Sequence, residues 1–137
     1  MNNYINKSQT TRNRIILTGN GIRVRNFMKA ISQRLAEADT VQTSSFTVYL
    51  DDNVVIFDTV TTNEVSMLKA MSNEHPDVNI AYAWASGNFA TKTGTATIIN
   101  GQITNEVHHD DYSTEAHNLA ESVWNDCVCN KCSASAD

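Results

Sequence analysis

No run of ten consecutive apolar residues occurs anywhere in this 137-residue chain. That excludes a membrane-spanning helix, which needs about 20 such residues. The opening MNNYINKSQTTRNR also lacks the apolar core of a secretory signal, so a cytoplasmic protein is expected. Cysteine is scarce: the three present fall together in CVCNKC near the end, an odd number in the wrong place for a disulfide framework. Acidic residues are missing from the whole stretch before Glu37. No nucleophile and base stand at a recognisable spacing, and Gly19-Asn20-Gly21 lacks the further glycine and lysine of the dinucleotide and Walker loops. No enzyme is expected, and no cofactor.

What is present suits a globular domain. A chain of 15.2 kDa with 41% hydrophobic residues can bury a core without covalent staples. We place one domain at residues 12–127, between polar, aperiodic tails at 1–11 and 128–137. The net charge of −5 is unevenly spread: Lys7, Arg12, Arg14, Arg23, Arg25, Lys29 and Arg34 precede every acidic residue, so the first 36 residues carry +7 and the rest −12. Such asymmetry marks either a surface for a charged partner or basic and acidic elements that neighbour one another in the fold.

Periodicity gives the elements in order. Arg14-Ile-Ile-Leu-Thr18 is a short apolar run stopped by a glycine turn, hence a strand. Val24, Phe27, Met28, Ile31 and Leu35 recur at three and four, which predicts a helix over 22–38 with Arg23, Arg25, Lys29 and Arg34 outside its apolar side. Phe46, Val48 and Leu50 alternate with polar neighbours and turn at Asp51-Asp52-Asn53 into Val54–Phe57, an antiparallel pair. Thr61 and Glu64 have the capping-box spacing ahead of a second helix lined by Val65, Met67, Leu68 and Met71, with Pro76 after its end. Val78, Ile80, Tyr82 and Trp84 alternate as a strand. Thr95–Ile99 and Gln102–Thr104 flank Asn100-Gly101, the strongest hairpin signal in the chain. Ser113 caps a last helix in which Ala116, Leu119, Ala120, Val123, Trp124 and Cys127 recur. The expected core includes Ile16, Phe27, Ile31, Phe57, Leu68, Ile80 and Trp124.

The order strand, helix, strand, strand, helix, strand predicts an α+β fold: a ferredoxin-like βαββαβ sandwich with both helices on one sheet face, extended by an added β-hairpin and a C-terminal helix. The other face is then expected to be open. An RNA-recognition module shares this topology, but Asn53–Thr59 has only Phe57 and no basic residue where that module needs a basic aromatic motif.

Phe57-Asp58-Thr59, His75-Pro76-Asp77-Val78, Tyr82, Gly87-Asn88-Phe89, Gly94 and Asn100-Gly101-Gln102, together with Asn13, Gly19 and Thr114-Glu115-Ala116, resemble a ferredoxin-like domain family of uncharacterised function found in bacteriophage and conjugative-plasmid accessory proteins. The chain lacks that family's tryptophan-rich stretch in Val41–Asn53 and has Thr61 and Thr62 where the family has paired prolines, so no shared ligand carries over. The resemblance implies a mobile-element origin, in a bacterial host, and a role in binding a host component. It assigns no catalytic residue. The expected function is that of a non-enzymatic phage or mobile-element accessory protein that binds, and in an anti-CRISPR-like manner inhibits, a host protein such as a defence complex.

Candidate site residues follow from this. Tyr49, Tyr82, Trp84 and Phe89, with Asp110 and Asp111, are the candidates for a surface that docks a host protein. Arg12, Arg14, Arg23 and Arg25 are the candidates for the alternative, a site for nucleic acid or a phosphorylated small molecule. Cys127, Cys129 and Cys132 with His108, His109 and His117 supply zinc-ligand types, but C-x-C-x2-C lacks paired knuckles and no metal is expected. His108-His109-Asp110-Asp111 is expected in a polar loop.

Overall fold

Strand β1 (Thr11–Thr18) organises the domain. In the computed structural model, which describes residues 10–37, 46–60 and 64–125, β1 pairs antiparallel on one side with β3 (Val54–Thr59) and on the other with β4 (Asn79–Ser86). With β2 (Thr47–Tyr49), β5 (Gly94–Ile99) and β6 (Gln102–His108), they form a six-stranded sheet in the order β2-β3-β1-β4-β5-β6, every neighbouring pair antiparallel. Three helices complete the α+β fold: α1 (Gly21–Glu37), α2 (Val65–Glu74) and α3 (Thr114–Trp124). None is long and apolar enough to cross a membrane.

The main core lies on one sheet face. Ile15 and Leu17 from β1, Val55 and Phe57 from β3, Ile80, Tyr82 and Trp84 from β4, and Ile98 from β5 meet Phe27, Ile31 and Leu35 of α1 and Leu68 and Met71 of α2. The α1 residues buried are the five named by their spacing. The Asn20 side chain accepts the Ile22 N–H at 3.0 Å and starts that helix. Gly19 precedes it at φ +143°, where a Cβ would lie 2.8 Å from the Asp77 carbonyl oxygen, so both conformation and space require glycine.

The second sheet face is not open as expected. Helix α3 lies across β1 and β4, and its buried residues Ala116, Ala120 and Val123 are small. Small Ala83 and Ala85 of β4 stand opposite, so the helix approaches the sheet closely. Five of the seven expected core residues are fully buried; Ile16 and Trp124 are half-buried. Ile16 is on the α3 side of the sheet, beside exposed Ala81.

Several boundaries move. β1 begins at Thr11, inside the expected tail, and β6 continues to His108. α2 begins at Val65 with Glu64 at the cap position and no side-chain cap bond. The Glu64 N–H instead donates to the Tyr82 hydroxyl at 2.9 Å, while Thr61 of the expected capping box lies outside the described residues. The turn before β3 is a single 3-10 turn, Leu50–Asp52, closed by Asn53 at φ 57°. Asn100 and Gly101, at φ 52° and 73°, make the two-residue turn between β5 and β6.

Candidate partner-docking site

Where β4 ends and β5 begins, two loops are tied to each other. The Tyr112 N–H donates to the Ala90 carbonyl at 2.7 Å and the His109 N–H to the Thr93 carbonyl at 3.0 Å. The Lys92 N–H donates to Asp111 Oδ1 at 3.0 Å. Ser113 then caps α3, its Oγ accepting the Ala116 N–H at 3.1 Å. Ala90, Lys92 and Tyr112 all have left-handed φ, at 65°, 49° and 65°. Each non-glycine residue so held costs of order 1 kcal/mol, and such strain concentrates at functional sites.

These ties hold two aromatic side chains in solvent: Phe89 is 45% exposed and Tyr112 63% exposed. The Phe89 ring meets the His117 ring edge-on at 5.6 Å. Asp110, Asp111 and Glu115 are exposed in the segment that carries Tyr112, and Lys92 is exposed in the facing loop. Three of the six residues expected to dock a partner, Phe89, Asp110 and Asp111, therefore share one loop pair. Sequence reasoning missed Tyr112, although its being the one large ring in a run of polar residues was a legible signal, and missed His117 as the neighbour of Phe89.

The other three are elsewhere. Tyr82 and Trp84 are buried, at 1% and 3% exposure, and cannot meet a partner. Their place in β4 puts them on the sheet face that α1 and α2 cover. Tyr82 donates to Asn13 Oδ1, and burial pushes its phenol well above the ordinary value of 10.0. Burial likewise raises the Glu64 carboxyl. Trp84 packs edge-on against His108 at 5.3 Å. His108 thus belongs to β6, with its Nε2 2.7 Å from Glu106 Oε2, rather than to a loop. Tyr49 is half-buried in the edge strand, at the end of the sheet remote from Phe89.

The four arginines do not gather. On β1, Arg12 forms a two-bond pair with Asp58, Nε to Oδ1 at 2.7 Å and the second terminal nitrogen to Oδ2 at 2.8 Å. Its guanidinium also stacks 4.3 Å from the Trp124 ring centroid. Arg14 is 6% exposed, donates to Ser122 Oγ at 2.7 Å, and has its pKa lowered by burial. Both therefore fasten α3 to the sheet. Arg23 and Arg25 lie on the exposed side of α1, which covers the opposite face.

Among the described residues no group of three or more His, Cys, Asp or Glu is placed to hold a metal ion. Cys127, Cys129 and Cys132 lie outside the described residues. No family of known proteins, no curated protein and no solved structure matches the chain.

Proposed function

We propose that this chain is a non-catalytic accessory protein of a phage or mobile element that docks a host protein, such as a component of a defence complex, through the loop pair carrying Phe89 and Asp110–Tyr112. One observation carries the reading. Exposed Phe89 and Tyr112, the latter next to exposed Asp110 and Asp111 in the chain, lie on two loops joined by backbone hydrogen bonds, with Ala90, Lys92 and Tyr112 held at left-handed φ. A pre-organised aromatic anchor loses little entropy on association, and aromatic residues dominate binding energy at protein interfaces. The carboxylates Asp110, Asp111 and Glu115 suit a partner with a basic, partly apolar patch.

The strand order β2-β3-β1-β4, with α1 and α2 on one face, supports a ferredoxin-like sandwich to which the β5–β6 hairpin and α3 are additions. In this reading Arg12 and Arg14 are structural.

The test is affinity capture from a bacterial host lysate with the wild-type chain and a Phe89→Ala/Tyr112→Ala variant, both first shown to melt at the same temperature. A basic host protein retained by the wild type should be lost from the variant, and Asp110→Lys/Asp111→Lys should weaken it more at low salt than at high. Equal retention by all three chains would refute the assignment of this surface.

A further inference from the structure

A second surface lies at the other end of the sheet, between α1 and the edge strand β2. It is a groove of about 360 Å³ lined by Arg25, Met28, Lys29 and Ser32 of α1 and by Val48 and Leu50. Leu50 is 61% exposed, and Ile22 is 74% exposed. Ile22 precedes Arg25 by three residues and Lys29 by seven, so it extends the same side of the helix. Among the described residues neither Arg25 nor Lys29 has an ion-pair partner, and α1 holds no acidic residue until its last, Glu37. The groove therefore joins an aliphatic floor to a cationic wall that makes no ion pair among the described residues.

We propose that this groove binds an acidic peptide segment of a partner protein, one large apolar side chain seated on Met28, Val48 and Leu50 and flanking carboxylates meeting Arg25 and Lys29. Charge complementarity selects the acidic residues. The floor selects against nucleic acid, because single strands are held by aromatic rings on which bases stack and no aromatic ring lines the groove. A bare phosphate would leave the apolar floor unused. The groove is separate from the Phe89 loop pair, with which it shares no lining residue.

The probe is a short synthetic peptide of glutamates around a central leucine-tryptophan pair, titrated into the isotope-labelled full chain and followed by amide chemical shifts. Shifts should concentrate at Ile22, Arg25, Lys29, Val48 and Leu50 and spare Phe89 and Tyr112. Lys29→Glu, at an exposed position, should weaken binding about tenfold or more, roughly what 1.4 kcal/mol is worth. Serines in place of the apolar pair should do the same. Absence of binding, shifts elsewhere, an affinity unchanged by Lys29→Glu, or tighter binding of a single-stranded oligonucleotide to the same residues would each overturn the proposal. Phe89→Ala/Tyr112→Ala should leave the peptide affinity unchanged, which separates failure at this groove from failure at the other surface.

Discussion

Replacing Tyr82 by phenylalanine removes one oxygen from the centre of the core and leaves the ring in place. That oxygen links two elements: it donates to Asn13 Oδ1 of β1 and accepts the Glu64 N–H at the start of α2 at 2.9 Å. The Asn13 amide group is meanwhile spent on the Thr11 and Phe57 carbonyls, both at 3.2 Å, and on Thr59 Oγ1 at 3.3 Å. Asn13 therefore cannot turn to find another partner without breaking those bonds, and it is 0% exposed. A buried acceptor left without its donor costs about 1–3 kcal/mol. Glu64 is half-buried, so water replaces part of its loss, and the total should be roughly 2–4 kcal/mol. The same substitution has a pH signature. Because the folded phenol titrates above its ordinary value of 10.0, the folded chain keeps a proton that the unfolded chain releases. This contribution to stability is intact below pH 10 and falls by about 1.4 kcal/mol per pH unit above it. Urea unfolding followed by circular dichroism between pH 7 and about 11 should show the two proteins converging above about pH 10. A cost below about 0.5 kcal/mol at neutral pH, or parallel curves at high pH, would refute the account of a buried phenol bridging β1 and α2.

Two further stability tests probe packing, beside the two binding tests given with their surfaces. Phe57→Ala should cost roughly 3–5 kcal/mol in urea unfolding, since Phe57 is fully buried; a loss under about 1 kcal/mol would mean that the site collapses onto the cavity. Gly94→Ala should destabilise by about 3 kcal/mol or more, because the new Cβ would lie 2.2 Å from Trp84 Cζ2 and 2.6 Å from the Val107 carbonyl oxygen, and buried Trp84 has no room to yield. A changed near-ultraviolet spectrum should accompany it, and an unchanged melting temperature would refute the contact.

The sequence alone determined what is local. The three-and-four spacing of Val24 to Leu35 specified which side of α1 is buried. Asn100-Gly101 specified a tight turn, since both positions must take positive φ, and Ser113 specified the start of α3. Only the tertiary structure decided what each apolar face meets and which charges are spent. Alternation marks Tyr82 and Trp84 as sharing a face without saying whether solvent or two helices lie over it. The sequence places Arg14 on a strand and Arg23 and Arg25 outside the apolar side of a helix, but nothing near Arg12 or Arg14 in the chain shows what they pair with. Their partners Asp58 and Ser122 are 46 and 108 positions away, and pairs so remote leave no periodic trace. The convergence of the loops carrying Phe89 and Tyr112 is hidden for the same reason: the hydrogen bonds that join them, Tyr112 N–H to the Ala90 carbonyl and Lys92 N–H to Asp111 Oδ1, link residues remote in the chain.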